Sequence, residues 1–136
     1  MRNYKKIVAY QMADELVLLV YGSTKLFPKN EMFGLTSQIR RAAVSVAANI
    51  VEGARRASKR EYLQFLYISQ SSLSEVEYYI NLSYKLNYLD LEKFSSLDEL
   101  CSKTFSKLYG LINSVQAETV HGPSSMVYSP QKGVKQ

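Results

Sequence analysis

A side chain that does acid–base or nucleophilic work needs a partner held at a fixed distance, and few residues here have one. The single histidine, His121, stands near the C-terminus among Gly122, Pro123, Ser124 and Ser125. No serine or cysteine is therefore expected to have a positioned imidazole to take its proton. The single cysteine, Cys101, falls in the middle of an apolar seam and reads as a small core residue. The sequence contains no Glu-x-x-His pair, no Cys-x-x-Cys, no glycine-rich phosphate loop and no carboxylate pair on a seam. The expectation is a protein that is not an enzyme and uses no metal or other cofactor.

Charge is more informative. Thr36 to Arg60 contains Arg40, Arg41, Arg55, Arg56, Lys59 and Arg60 against Glu52 alone, an excess as large as the net +5 of the whole chain. Guanidinium forks match phosphate oxygens, and each phosphate neutralised releases counterions. These six are the candidate nucleic-acid contacts. A plainer account covers some of them. Arg55 and Arg56 compensate a helix macrodipole at its C-terminus, and Lys59 and Arg60 lie in a solvated link. Arg40 and Arg41 fall on a helix face, where dipole compensation does not explain them.

Hydrophobic residues at a period of 3.6 predict the elements that position these groups, and no alternating strand pattern occurs. A first helix runs from about Ile7 to Leu26 on the seam Ala9, Met12, Leu16, Leu19, Ser23 and Leu26, and Phe27-Pro28 breaks it. A second starts at Thr36 as N-cap and ends at Gly53 as the residue past the cap, with the seam Ile39, Ala43, Val46 and Ile50. Ala42 and Ala47 flank that seam, so a neighbouring helix can approach closely. Ser58 and Glu61 form a capping box for a third helix, about Lys59 to Asn87, on Tyr62, Leu66, Ser69, Leu73, Val76, Ile80 and Ser83. Asp90 caps a fourth with the heptad Phe94, Leu97, Cys101, Thr104, Leu108, Leu111 and Val115. Short connectors give an all-α, antiparallel up-down-up-down four-helix bundle over residues 1–117. Residues 118–136 read as a flexible, disordered C-terminal tail.

That topology brings Arg2, Lys5, Lys6, Arg55, Arg56, Lys59 and Arg60 to one end against Glu52, Glu61 and Glu118. Apolar surface also exceeds what one core needs. Leu16 to Tyr21 wraps right round the first helix, placing Leu18 and Tyr21 outside the seam, and Tyr67 and Tyr78 stand off the third. A second sticky face predicts self-association, with Leu18, Tyr21, Asn49, Glu52, Tyr67 and Tyr78 as candidate interface residues. Asn49 is equally well explained by a hydrogen bond within the bundle, and Glu52 by an ion pair at a helix end. With one cysteine, no leader-like start and no apolar run long enough to span a bilayer, the expected location is cytoplasmic, with no membrane contact.

The run Phe27-Pro28, Glu31, Gly34-Leu35-Thr36-Ser37-Gln38-Ile39-Arg40-Arg41-Ala42, Val44-Ser45, Ala48-Asn49-Ile50 and Glu52-Gly53 resembles a bacterial family. Its members are four-helix-bundle proteins encoded in intervening sequences of large-subunit ribosomal RNA genes. The accessory variability determinant of diversity-generating retroelements is in the same group. Glu61-Tyr62, Phe65-Leu66, Glu75 and Leu86-Asn87-Tyr88-Leu89 extend the likeness over about Val8 to Val115. The resemblance implies a homopentameric ring with a basic surface that binds structured RNA or DNA, and in the retroelement branch a reverse transcriptase. Carried over by position, the motif residues are Arg40, Arg41, Asn49, Glu52 and Gly53, with Arg55, Arg56 and Arg60 from the more variable link. Val46-Ala47 stands where the family often has an isoleucine-proline pair, which leaves the second helix unkinked. The expected function is an oligomeric nucleic-acid-binding bundle. The alternative is a protein-interaction scaffold, such as an accessory subunit of a reverse transcriptase, whose arginines make intersubunit ion pairs.

Overall fold

Four helices, α1 (Val8–Ser23), α2 (Leu35–Ala54), α3 (Lys59–Lys85) and α4 (Leu91–Ala117), make up the chain in a computed structural model that describes residues 2–118. Short 3₁₀ turns at Tyr4–Lys6 and Lys29–Glu31 precede α1 and α2. Each helix packs on two others: α1 touches α2 and α4 but not α3, and α2 does not reach α4. The Arg2 side chain meets Arg56, and Lys59 meets Gln116, at one end. Tyr88 meets Glu31 at the other. Successive helices are therefore antiparallel, as expected. Glu118 leaves α4 in extended conformation. The rest of the expected tail, residues 119–136 with His121, lies outside the described residues.

All seven expected seam positions of α3 are buried, and Ile39, Ala43, Val46 and Ile50 of α2 are fully so. Each buried Leu or Ile contributes about 1.5–3 kcal/mol relative to exposure. Small side chains set the α2–α3 spacing. Ser69 donates from its hydroxyl to the Val46 carbonyl at 2.7 Å, and Ser72 and Ser45 share a hydrogen bond of 2.8 Å. Helix α2 is continuous through Val46-Ala47.

Five details differ from the periodic reading. In α1, Ala13 and Val20 are buried in place of the expected Met12 and Leu19, which are only partly so. In α4, Ile112 is buried and Leu111 only partly. A straight helix drifts about 20° per heptad, so by the third repeat the inward position moves from Leu111 to Ile112, while Val115 stays buried. Helix α1 stops at Ser23 rather than Leu26, where the Thr24 N–H and hydroxyl both donate to the Val20 carbonyl, at 3.0 and 2.8 Å. The chain then turns Phe27 inward and leaves Leu26 86% exposed. Thr36 is not the N-cap of α2. It is buried in the first turn, its hydroxyl has no partner, and the Glu31 carboxylate instead accepts from the Leu35 N–H at 3.1 Å. Gly34 permits this, since a Cβ there would lie 2.8 Å from Glu31 Oε1. Gly53 is not past the end of α2 but inside its last turn. A Cβ would stand 2.8 Å from Phe65 Cβ, so this glycine serves the close approach of α3.

Asp90 and Ser58 cap α4 and α3, as expected. Asp90 accepts from the Lys93 N–H at 2.8 Å, and Ser58 from the Glu61 N–H at 3.1 Å. The Glu61 carboxylate takes the Ser58 hydroxyl at 3.3 Å, so only one half of the capping box engages backbone.

Candidate nucleic-acid interface

Three segments far apart in sequence meet at one end of the bundle: the stretch before α1, the α2–α3 link, and the end of α4. Helix α2 closes with Arg55 N–H donating to Glu52 O and Arg56 N–H to Gly53 O, after which Ser58 caps α3. Arg2 crosses this link. It donates to the Arg56 carbonyl at 2.9 Å, and its guanidinium lies 4.1 Å above the Tyr62 ring. Lys59 donates to the carbonyls of Gln116 and Glu118 at 2.9 and 2.7 Å, closing the C-terminus of α4. Arg56 stands 4.6 Å over Phe65 and pairs with Glu52 at 2.9 Å. Arg55 lies 5.5 Å over Tyr4.

Most of these cations are held by carbonyls and rings, which orient a charge without neutralising it. Glu52 with Arg56 is the one ion pair at this end among the described residues. Lys5, Lys6, Arg55 and Arg60 are exposed, with no carboxylate at ion-pair distance among the described residues. Because successive helices are antiparallel, two helix N-termini and two C-termini share the end and their dipoles largely cancel. The positive charge belongs to the side chains. An open groove of about 730 Å³ runs along this end, lined by Arg2, Lys59, Arg60, Leu63, Tyr67 and Glu118 among others. A second depression, of about 510 Å³, is lined by Arg2, Arg55, Arg56 and Ala57.

Of the six expected nucleic-acid contacts, four come together here. Arg40 and Arg41 do not. Arg41 is fourteen residues before Arg55, about 20 Å along the helix. Arg40 is half-buried, donating from Nε to the Thr24 hydroxyl at 2.9 Å with its guanidinium 4.7 Å over the Tyr21 ring. It clamps the end of α1 onto α2. Arg41 is exposed on the outer face of α2.

The candidate interface residues spread over three helices. Leu18 is exposed on α1 and Tyr21 lies under Arg40. Asn49 donates to the Ser45 carbonyl and hydroxyl at 2.8 and 3.0 Å, joining the Ser45–Ser72 bridge, so it is satisfied within the bundle. Tyr67 and Tyr78, eleven residues apart and so on one face of α3, are both exposed. The Tyr67 hydroxyl accepts from Gln116, and the Tyr78 ring stands edge-on to Tyr79 at 5.8 Å.

Sequence reading missed the groove and the clamp formed by Arg2. Arg2 was visible as one more cation, but its partners lie more than fifty positions away. Burial, followed by the nearby carboxylates Glu77 and Asp98, pushes the Cys101 thiol up to about 12. Among the described residues no cluster of His, Cys, Asp or Glu could hold a metal ion, and no helix is long and apolar enough to cross a membrane.

No curated protein matches the chain. A solved structure from Bacteroides thetaiotaomicron is similar in fold, with TM-score 0.71 and 23% identity over 78% of this chain and 96% of that one. It is described as a protein with unknown function from the S23 ribosomal protein family. Residues 5–110 match the family described as 23S rRNA-intervening sequence protein, and the chain belongs to that family.

Proposed function

We propose that the protein is a non-catalytic, self-associating RNA-binding bundle of the cytoplasm that holds phosphates on the basic end of each subunit. One observation carries this reading: Lys5, Lys6, Arg55 and Arg60 present unneutralised charge beside Arg2, Arg56 and Lys59, which are fixed by carbonyls and rings. RNA is the first nucleic acid to test, because the family to which the chain belongs is described by the 23S rRNA. Cys101, buried and with its thiol pKa raised, is unsuited to act as a nucleophile. Self-association rests on two exposed apolar features, Leu18 on α1 and the Tyr67–Tyr78 stripe on α3, carried by helices that do not touch one another. A closed ring, such as the expected homopentamer, joins two different patches on each subunit.

The same tyrosine stripe favours a second reading, a scaffold that docks a protein such as a reverse transcriptase. Salt titration separates the two. Affinity for structured RNA should fall steeply with salt, by a log–log slope of about −0.7 to −0.9 per phosphate neutralised. Arg55, Arg56 and Arg60 changed together to Gln should flatten that slope while light scattering still gives a mass several times 15.5 kDa. Tyr78→Glu should lower the mass. Absence of saturable RNA binding near roughly 50 mM salt, where such contacts are strong, sinks the phosphate-binding reading and leaves the scaffold.

A further inference from the structure

The groove at the basic end differs in kind from a patch of charge. Its lining is part apolar and aromatic. Leu63 is half-buried, and Tyr67 is 42% exposed with its hydroxyl tethered to Gln116. The rest is largely ionic: Arg60 has no ion-pair partner among the described residues, Lys59 and Arg2 are fixed by backbone carbonyls, and Glu118 lines the same groove. A phosphate backbone tracking over the surface needs only the cations and has no use for an apolar recess. A paired base cannot enter one either, because both of its faces are covered by neighbours in the stack. An unpaired base can. Its ring would cover Tyr67 and Leu63 with its phosphate at Arg60, and Glu118 and Gln64 of the same lining offer partners for its exocyclic groups. A volume of about 730 Å³ suits a nucleotide-sized ligand.

We propose that this groove takes one unpaired nucleotide per subunit, so that the protein selects single-stranded over double-stranded nucleic acid. The inference rests on the phosphate-binding reading above and adds the class of strand to it. It also assigns Tyr67 to the groove and leaves Tyr78, about 16 Å further along α3, as the subunit contact.

The experiment uses the full chain with single-stranded RNA, single-stranded DNA and duplex RNA of matched phosphate number at one salt concentration. Both single strands should bind about tenfold tighter than the duplex. Tyr67→Ala should remove about that factor for single strands and leave the duplex unchanged, whereas Tyr67→Phe keeps the stacking face and should retain the preference. The protein has no tryptophan, so Tyr67→Trp installs a lone reporter whose emission should be quenched by single strands and not by duplex. Equal affinity for single strand and duplex, or an unquenched Tyr67→Trp, overturns the inference and leaves the phosphate-binding reading standing. A fall in oligomer mass on Tyr67→Ala without loss of single-strand affinity returns Tyr67 to the subunit interface and also overturns it. Failure of all three nucleic acids to bind removes both.

Discussion

Both ends of the bundle are built from connectors, and their helix dipoles alternate in the same way, yet they are held by different forces. At the basic end, segments distant in sequence are tied by cations donating to carbonyls: Arg2 to Arg56, and Lys59 to Gln116 and Glu118. At the other end the ties are apolar and carboxylate-based. Phe27 and Leu89 turn inward, and the Phe27 ring packs on Tyr88 at 5.3 Å. The Tyr88 hydroxyl donates to Glu31, whose other oxygen caps α2. Asn87 makes the turn with a positive φ of 65°, which asparagine tolerates better than most residues. The difference teaches how a small protein can close a bundle and keep charge for a ligand. A carbonyl satisfies a cation's hydrogen-bonding need and leaves its field outward. A carboxylate would cancel that field.

Two phenylalanines six positions apart test the structural role of the far end most strongly. Phe27 is 7% exposed and Phe33 is 96% exposed. Phe27→Ala is expected to cost about 3 kcal/mol in urea unfolding, and Phe33→Ala less than about 0.5 kcal/mol. Neither should change the salt slope of RNA binding. If Phe33→Ala weakened RNA binding, the division between a clasp at one end and a recognition surface at the other would fail.

The contrast between the ends was only half legible in the sequence. The charge was legible because it is a local property: six cations cluster within Thr36 to Arg60, and antiparallel topology adds Arg2, Lys5 and Lys6. The seams of α2 and α3 were legible for the same reason, since periodicity is read within one element. In α1 and α4 some inward positions lie one residue past the periodic seam, at Ala13 and Val20 instead of Met12 and Leu19, and at Ile112 instead of Leu111. Contacts between elements were not. Tyr88 and Glu31 are 57 positions apart, and nothing in the spacing of either names the other. Arg40 and Arg41 looked alike as neighbours, but one step along a helix is a 100° rotation. That turns Arg40 onto Thr24 and leaves Arg41 facing outward. Gly53 looked like a stop signal because glycine does end helices; its purpose, room for Phe65 and Tyr62, depends on a helix not yet formed.

That glycine gives the next test, at the basic end. Gly53→Ala puts a Cβ 2.8 Å from Phe65 Cβ and 3.0 Å from Tyr62 Cδ1. Neither contact is the free end of a flexible chain, so α2 and α3 must separate, at a cost of about 2 kcal/mol. A Cβ added at Gly110 in α4 would have nothing within 4 Å. Gly110→Ala should stabilise by about 0.5–1 kcal/mol, through reduced freedom of the unfolded chain and better helix propensity. Equal effects of the two changes would mean that the α2–α3 approach is not tight at the link that carries Arg55 and Arg56.

The smallest effect is read at alkaline pH, where each end has a tyrosine whose pKa is raised for a different reason. At the far end, the hydrogen bond to the Glu31 carboxylate raises Tyr88, followed by burial and by the charge of Glu31. At the basic end, burial raises Tyr62 and Arg2 opposes it. A raised pKa means that the folded protein holds the phenolic proton more tightly than the unfolded chain. The stability this represents is complete below the ordinary tyrosine value of about 10. It is lost as pH climbs from there through the folded-state value, because the unfolded chain ionises first. Tyr88→Phe should therefore be less stable than the parent at pH 7, having left Glu31 without its donor, and the gap should narrow above about pH 10. Tyr62→Phe removes a phenol that burial, against Arg2 and with Glu118, disfavours ionising, so its gap to the parent should also move in the mutant's favour at high pH, without the neutral-pH loss of a carboxylate partner. Parallel stability curves for Tyr88→Phe and parent across that range would show that the Glu31–Tyr88 bond is not what closes the far end.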